Sequence, residues 1–329
     1  MCKILVTGGC GFIGYNFLEY IHNNTTHDII NVDKLTYAGA TQPKWIDRYE
    51  FYHQDIGASD HMRALLKHHK PDYVVNFAAE THVDRSISSS KAFIDTNIVA
   101  TYNFIVEIQK YFEEVNNEVR FVHVSTDEVY GELATPQEAP FSEESPYKPN
   151  NPYSATKASG DFLIRSFQRT YGLPAMITNS SNNYGPYQYP EKFIPVVILK
   201  AMLNKQIPVY GTGKNVRDWI WVEDNCDAIY TVLQKGTIGE KYNIGAYNEH
   251  QNIEIAKLIL DIMGKPQSLI SFVEDRKGHD LRYALESIKM KKEFNWQATH
   301  PFTTTLDTTI KWYHDNLDWV KKCIHLESF

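Results

Sequence analysis

Residues 3–14, KILVTGGCGFIG, decide the fold of this chain. The segment opens with an apolar run typical of a buried strand and ends where helical apolar spacing begins. Between the two, Gly8, Gly11 and Gly14 keep GxxGxxG spacing. The first glycine permits a tight turn, the second lets the backbone approach a pyrophosphate, and the third lets the helix pack on the strand. The stretch therefore predicts a dinucleotide-binding unit.

The next predicted strand indicates which dinucleotide is bound. Asp33 follows Gly14 by 19 residues and ends the strand at 28–33. An acid at this place can bind both ribose hydroxyls and would repel a 2′-phosphate, which favours NAD over NADP. The alternative is a glycine-rich turn followed by a solvated acid. Asp55 and Ile56 lie where an adenine would contact them, and small residues after a later strand leave room for the nicotinamide ribose.

Strands and helices alternate over the first half of the chain. The predicted strands cover 3–9, 28–33, 49–56, 71–79, 119–126 and 175–185, and the predicted helices cover 12–22, 61–70, 91–114 and 152–171. This alternation implies right-handed crossovers and a parallel sheet with helices on both faces. We expect an α/β fold, a Rossmann-type doubly wound parallel sheet with a smaller C-terminal α/β substrate-binding lobe.

The regular alternation of strands and helices ends near residue 185, and this change sets the predicted domain boundaries. Residues 1–185 are predicted to form the NAD-binding domain, and 186–329 mainly the nucleotide-sugar-binding lobe, with about 214–250 returning to the first domain. The segment 132–152 is rich in Pro, Glu and Ser and is predicted to be a long surface loop near the site.

Composition excludes several classes of protein. The 329 residues carry a net charge of −7, which argues against a nucleic-acid binder. No apolar run approaches the roughly 18 residues of a membrane span, and no secretory signal pattern begins the sequence. Four scattered cysteines without a CxxC pair fit reduced thiols in a cytoplasm. The histidines form no HExxH motif, so no metal site is expected.

A second motif indicates oxidation of an alcohol. Tyr153 and Lys157 are four residues apart on a predicted helix and therefore share a face. A lysine ammonium close to a phenol lowers the pKa of the phenol, and such a tyrosine can remove the proton of a carbinol while hydride leaves. Ser125 or Thr126, at the end of the preceding strand, can donate a hydrogen bond to the same substrate oxygen.

Two adjacent acids follow that strand. Asp127 and Glu128 lie in STDEVYG, residues 125–131. Two close carboxyls separate their pKa values because a second negative charge is disfavoured beside the first. The sequence does not assign which of them titrates higher. The alternative is a solvated pair of acids in a turn.

The chain resembles a known family along essentially its whole length. Besides the glycine segment, the segments that carry the resemblance are VSTDEVYG, PYSATKAS, SNNYGPYQYPEKFIP, GKNVRDWIWVED and DRKGHDLRYA. They are similar to the extended short-chain dehydrogenases/reductases and, more narrowly, to the nucleoside-diphosphate-glucose 4,6-dehydratases, which are hydro-lyases. The resemblance implies that C4 of the sugar is oxidised, water is lost from C5 and C6, and hydride returns to C6.

The resemblance also implies roles for individual residues. Asp127 would be the general acid, Glu128 the general base and Tyr153 the group that deprotonates the C4 hydroxyl. The implied catalytic set is Thr126, Asp127, Glu128, Tyr153 and Lys157. The implied NAD-binding set is Gly8, Gly11, Phe12, Ile13, Gly14, Asp33, Lys34, Leu35, Thr36, Asp55, Ile56, Phe77, Ala78, Ala79, Thr96, Tyr153, Lys157 and Asn183.

The nucleotide sugar is expected to be held by a third set. Arg217 and Arg282 are candidates for the diphosphate, because a guanidinium can donate to two oxygens at once. The full substrate-binding set is Thr81, Thr126, Asn182, Lys192, Phe193, Ile194, Pro195, Arg217, Asn252, His279, Arg282 and Tyr283, with Asp280 beside it. The expected substrate is dTDP-glucose. UDP-glucose stays open, because one thymine methyl separates the two bases.

Two other functions remain as alternatives. A nucleotide-sugar 4-epimerase would need neither Asp127 nor Glu128, and a non-catalytic NAD-binding protein would need none of the catalytic residues. The resemblance further suggests that the long helices at 91–114 and 152–171 pair with those of a second subunit. We therefore expect a homodimer with a small-molecule substrate, no nucleic-acid partner and no membrane partner.

Overall fold

The structure, a computed structural model, describes residues 2–39, 41–45, 47–115 and 119–324. Strands and helices alternate in its first part, and a 3₁₀ turn, Asp127–Tyr130, follows the fifth strand. In chain order the elements are β1 (Lys3–Thr7), α1 (Phe12–Asn24), β2 (Asp28–Asp33), β3 (Tyr49–His53), α2 (Ser59–His69), β4 (Tyr73–Asn76), α3 (Val83–Ser88), α4 (Lys91–Ile94), α5 (Thr101–Val115), β5 (Arg120–Thr126), α6 (Pro152–Tyr171), β6 (Ala175–Ser180) and β7 (Asn182–Tyr184).

The remaining elements are shorter and less regular. They are α7 (Phe193–Met202), β8 (Ile207–Tyr210), β9 (Val216–Trp221), α8 (Val222–Lys235), β10 (Lys241–Ile244), β11 (Glu249–Gln251), α9 (Asn252–Ile262), β12 (Ile270–Val273), α10 (Ile288–Phe294), α11 (Phe302–Asp315) and α12 (Leu317–Cys323). Within the described ranges no helix combines the length and the apolar character that crossing a membrane requires.

Seven parallel strands form the central sheet in the order β10-β6-β5-β4-β1-β2-β3. Helices α1 and α8 cover one face, and α2, α5 and α6 cover the other. The strand order reverses between β1 and β4, and ligands of doubly wound sheets bind beside the carboxyl ends of the strands at such a point. The predicted Rossmann-type fold is confirmed.

The lobe is built around its own apolar core. A three-stranded sheet, β11-β9-β7, and a parallel pair, β12-β8, pack with α7, α9 and α11. β10 adds to the edge of the central sheet although it follows the first lobe elements in the sequence. The domain boundary at residue 185 stays a prediction.

Four of the predicted elements differ from the structure. The strand predicted at 175–185 is two strands, because after Ser181 the chain leaves the central sheet and β7 pairs with β9. The helix predicted at 91–114 contains a π-helical segment, Asp95–Ala100, between α4 and α5. The strands predicted at 49–56 and 71–79 end earlier, at His53 and Asn76.

Candidate active site

A cavity of about 300 Å³ opens beside the carboxyl ends of the central strands. Residues of all three predicted sets line it. From the catalytic set these are Thr126, Asp127, Glu128, Tyr153 and Lys157, from the substrate set Thr81, Asn182 and Lys192, and from the NAD set every member except Leu35. The fold therefore brings the cofactor motif, the tyrosine–lysine pair and the two acids to one place.

The glycine loop is shaped by close backbone approaches. Gly8 has a φ of +73°, and a Cβ there would lie 2.6 Å from the amide nitrogen of Ala78. A Cβ on Gly14 would lie 2.2 Å from the Gly8 carbonyl oxygen, whereas one on Gly11 would be 3.4 Å from the same atom. The first α1 hydrogen bond runs from Tyr15 N–H to the Gly11 carbonyl at 2.8 Å. The amides of the first turn are thus left for an anion.

Asp33 lies at the end of β2, where two backbone amides hold its carboxylate. One carboxylate oxygen accepts the Cys10 amide at 2.9 Å and the other accepts the Leu35 amide at 2.7 Å. Burial raises the pKa of Asp33, and these two hydrogen bonds act against that rise. Leu35 therefore contributes its backbone to Asp33 rather than a side chain to the cavity. The residues present fit a dinucleotide with free ribose hydroxyls.

The catalytic helix α6 begins with a strong cap. Asn151 accepts the Ser154 amide at 2.9 Å, and Ser154 accepts the Asn151 amide in return. This capping box fixes the first turn, on which Tyr153 lies. One turn later the Lys157 ammonium donates to the Val124 carbonyl at 2.8 Å.

The predicted lowering of the Tyr153 pKa is not the net effect in this structure. Burial and the charge of Glu128 raise the pKa of Tyr153, while the Thr126 hydroxyl acts in the opposite direction. Burial also lowers the pKa of Lys157 to about 8. The reason is desolvation, which disfavours the charged form of each group.

The two adjacent acids lie in different environments. Asp127 is 2% exposed, accepts the Thr126 hydroxyl on Oδ1 at 3.1 Å, and has no hydrogen-bond partner for Oδ2 among the described residues. Burial and the neighbouring Glu128 raise the pKa of Asp127 to about 8. Asp127 therefore carries a proton at neutral pH.

Glu128 has positive charges around it instead. Burial raises the pKa of Glu128, but Arg217, Arg276 and Lys192 oppose that rise. The Asn151 side-chain amide also donates to Glu128 at 3.4 Å. The pKa of Glu128 is still raised overall, but three cations favour its carboxylate form, whereas Asp127 has the negative charge of Glu128 beside it.

The two arginines predicted to bind the diphosphate lie in different surroundings. The Arg217 guanidinium stacks 4.2 Å from the ring centre of Tyr283 and donates to the Asp280 carbonyl at 3.0 Å. Arg282 forms a two-point ion pair with Glu249, at 2.6 and 2.8 Å. Arg217 acts on Glu128 electrostatically and forms no ion pair among the described residues, whereas the charge of Arg282 is matched by Glu249.

Eight predicted substrate residues do not line this cavity in the described part of the chain. They are Phe193, Ile194, Pro195, Arg217, Asn252, His279, Arg282 and Tyr283. The side chain of Ile194 is fully buried in the lobe core, because α7 turns that face toward α9 and α11. This corrects the expectation that Ile194 lines the base pocket with its side chain. His279 pairs with Asp275 at 2.6 Å.

Several residues at the site were not predicted. Glu80, Gln188, Tyr189 and Glu191 line the cavity, and Arg276 opposes the rise in the pKa of Glu128. Asn97, in the π-helical segment, holds the backbone of Glu80 through two hydrogen bonds of 2.9 and 3.0 Å. No local sequence signal marks a π-helix, although such segments recur at functional sites.

Comparison with known proteins places this site in a family. Residues 5–309 match the family model described as GDP-mannose 4,6 dehydratase. A dTDP-glucose 4,6-dehydratase of Escherichia coli is 48% identical, over 96% of this chain and 95% of that protein.

Two solved structures are similar along nearly the whole chain. A dTDP-glucose 4,6-dehydratase of Bacillus anthracis in complex with NAD is 42% identical, with a TM-score of 0.90 over 98% of this chain and 100% of that one. The enzyme of the same name from Streptomyces venezuelae, also solved with NAD, is 38% identical, with a TM-score of 0.92 over 98% of this chain and 100% of that one.

Proposed function

The chain belongs to the dTDP-glucose 4,6-dehydratase family, and on that premise we propose that it converts dTDP-glucose to the 4-keto-6-deoxy sugar with NAD as its cofactor. The predicted family and the predicted enzyme class, a hydro-lyase, are confirmed by its relatives. The observation that carries the proposal is the pair Asp127 and Glu128, whose pKa values are shifted by different surroundings.

The cofactor would be held by backbone and by one acid. The first turn of α1 offers its amides to the diphosphate, Asp33 accepts from the ribose hydroxyls, and Ala78 and Ala79 leave space at the nicotinamide end. When bound, NAD accepts hydride from C4 of the sugar and later supplies it to C6.

The first proton transfer is assigned to Tyr153. Its side chain, 8% exposed, acts in the phenolate form, which takes up the proton of the C4 hydroxyl beside the Thr126 hydroxyl. The positive charge of Lys157 favours the phenolate and so acts against the effect of burial on Tyr153.

The two acids carry out the elimination. Once C4 is a ketone, the proton on C5 becomes acidic, and the Glu128 carboxylate removes it. Asp127, which still holds its proton at neutral pH, gives that proton to the departing C6 hydroxyl, and water leaves. Glu128 then returns a proton to C5 as C6 is reduced. Tyr153 releases the proton that it took from the C4 hydroxyl and Asp127 takes one up, so that all three groups end in their starting states.

The diphosphate of the substrate would lie on the side of Glu128 that faces the C-terminal lobe. Lys192 and Arg217 act on Glu128 electrostatically, and both cations suit a diphosphate. Arg282 already donates one hydrogen bond from each of its three nitrogens, to Glu249 and to the Glu138 carbonyl, so a phosphate would be bound by the second N–H of a terminal nitrogen or in exchange for Glu249.

Product analysis tests this function. The protein is incubated with dTDP-glucose and, separately, with UDP-glucose, and the products are identified by mass and NMR. We expect loss of one water from dTDP-glucose and the alkali-induced absorbance of a 4-keto-6-deoxy sugar. A C4 epimer of unchanged mass would assign the chain to the epimerases, and bound NAD without turnover would make it a non-catalytic binding protein.

We also propose a homodimer. Apolar side chains on the helices at 91–115 and 152–171 are exposed in the single chain. Their exposed fractions are 43% for Ile94, 49% for Val99, 45% for Tyr102, 58% for Phe162 and 56% for Tyr171. Apolar side chains clustered on exposed helices are typical of a protein–protein interface. Sedimentation should give twice the chain mass, and Phe162→Glu should give a monomer.

A cytoplasmic location is a further part of the proposal. Its support is that Cys2, Cys10, Cys226 and Cys323 are all free thiols, as is usual in a reducing compartment. Fractionation of cells that express the tagged full chain would test it.

A further inference from the structure

A buried carboxylate lies behind the catalytic residues and has no task in the mechanism above. Asp161 is 2% exposed and follows Lys157 by four residues on α6. Its Oδ2 accepts the Ser125 hydroxyl at 2.8 Å and the Tyr147 hydroxyl at 2.9 Å. Residues four apart on a helix lie about 5–6 Å from each other at Cβ. The carboxylate is thus close to both the cavity wall and the catalytic lysine.

The other oxygen of Asp161 faces a neutral group. Its Oδ1 lies 3.6 Å from Nε2 of His123, and neither atom has a hydrogen-bond partner among the described residues. Burial lowers the pKa of His123 well below its usual value, so the ring is uncharged. The Asn76 side chain lies 3.1 Å from Nδ1 of His123. The charge of Asp161 is therefore not cancelled from this side.

We propose that Asp161 is a positioning residue, which holds the Ser125 hydroxyl at the cavity wall and keeps the Lys157 side chain positively charged. The proposal rests on the function proposed above, where the charge of Lys157 favours the Tyr153 phenolate. Asp161 itself touches neither substrate nor cofactor in this scheme, because Ser125 and Lys157 lie between it and the cavity.

The charges of the pair depend on each other. Burial lowers the pKa of Lys157 to about 8 while Asp161 acts against that fall, and burial raises the pKa of Asp161 to about 6 while Lys157 acts against that rise. Each charge therefore favours the charged form of the other group. Without the carboxylate the ammonium would lose its proton at a lower pH.

The remaining titratable neighbours leave this dependence intact. Burial raises the pKa of Tyr130, Tyr147 and Tyr153, and the charge of Asp161 adds to each rise. Lys241 is a further cation whose pKa responds to Asp161. The titratable and charged groups that face the pair are His123 of β5, Asp127, Glu128 and Tyr130 of the 3₁₀ turn, Tyr147 of the loop before α6, Tyr153 of α6 and Lys241 of β10.

The test removes the charge and keeps the shape. In Asp161→Asn the alkaline limb of kcat with dTDP-glucose should move to lower pH by about one unit. Tyr147→Phe is the matched control, because it removes one hydrogen bond from the same carboxylate without changing its charge near pH 8, and its limb should stay in place. Asp161→Ser is a second neutral variant, and thermal unfolding shows which variants are folded.

A titration without turnover makes the result independent of the proposed function. The lysine side chains are labelled with ¹³C, and the Lys157 resonance is identified by its loss in Lys157→Arg. The Lys157 midpoint should fall in the neutral variants and stay unchanged in Tyr147→Phe. An unchanged midpoint in Asp161→Asn or Asp161→Ser would overturn the proposal, even if that variant had lost activity or stability. If the wild type does not convert dTDP-glucose, the proposed function fails, whereas the Lys157 midpoint still tests the link between the two charges.

Discussion

The two ends of the cavity, one at the glycine loop and one at the two adjacent acids, are built from different kinds of interaction. At the cofactor end, one short segment supplies glycines whose missing side chains permit close approach of neighbouring backbone. The next strand ends in a single acid, Asp33, which two backbone amides hold in place. At the catalytic end, the pKa values of Asp127, Glu128 and Lys157 are all shifted by burial and by charges. An added methyl group at the cofactor end should therefore change NAD content and stability. A change of charge or of pH at the catalytic end should change kcat.

The largest effect is expected for a substitution that removes the charge of Glu128 at the catalytic end and leaves the cofactor end unchanged. Glu128→Gln leaves an amide that cannot take the C5 proton, so kcat should fall by about 10²–10⁴. The NAD content of the purified protein should match the wild type, because the cofactor end is untouched. NMR of recovered substrate in D₂O would check the base directly. Exchange of the C5 proton at the wild-type rate would contradict the role of Glu128.

A methyl group at the cofactor end should have the next largest effect. In Gly14→Ala the new Cβ would lie 2.2 Å from the Gly8 carbonyl oxygen, so the loop must shift. Overpacking of this kind lowers the free energy of unfolding by about 1–3 kcal/mol. We also expect reduced NAD content, measured after denaturation.

Gly11→Ala is the matched control for that substitution. Its Cβ would be 3.4 Å from the same oxygen, and Gly11 has a φ of −81°, which any residue adopts. Unfolding by denaturant should show a smaller loss of stability than in Gly14→Ala. Equal losses in the two variants would show that the close approach at Gly14 is not what shapes the loop.

A pH profile should distinguish the ends without a mutation. Asp127 must hold its proton to act as the acid, and burial together with Glu128 raises the pKa of Asp127 to about 8. Activity should therefore fall above about pH 8, at least tenfold per pH unit well beyond the midpoint, with loss of the Lys157 charge adding to the fall. NAD content should stay constant over the same range. Full activity at pH 10 would exclude a protonated Asp127 as the acid.

The smallest effect is expected at Asn151, which caps α6 and also donates a hydrogen bond to Glu128. Asn151→Ser keeps an N-cap side chain but loses the amide that donates to Glu128. Loss of one hydrogen bond of about 1 kcal/mol should lower kcat about fivefold, with an unchanged melting temperature. Asn151→Ala, which loses both contacts, should lower both quantities. If Asn151→Ser melted as early as Asn151→Ala, its effect on kcat could not be assigned to Glu128.

Much of the fold and of the cavity could be predicted because the signals are local. The glycine loop, Asp33 and the spacing of Tyr153 and Lys157 each depend on a strand, a turn or a helix whose geometry is encoded within a few residues. The prediction of a single strand at 175–185 was wrong. The chain forms two strands there because β7 pairs with β9, which follows some 35 residues later. The π-helical segment around Asn97 likewise depends on tertiary contacts.

The sequence by itself determined that two acids stand side by side after a strand and that a tyrosine–lysine pair follows on a helix. Only the tertiary structure decided how these groups divide the work. Arg217, Arg276 and Lys192 come from distant segments to support the charge of Glu128. Asp127 is buried beside the negative charge of Glu128, and the opposing effect of Arg217 is smaller than these two. Asp161 shares α6 with Lys157, but only the packing of α6 on β5 brings it against the Ser125 hydroxyl. The physical reason is that a pKa depends on burial and on charges in space, which adjacency along the chain does not fix.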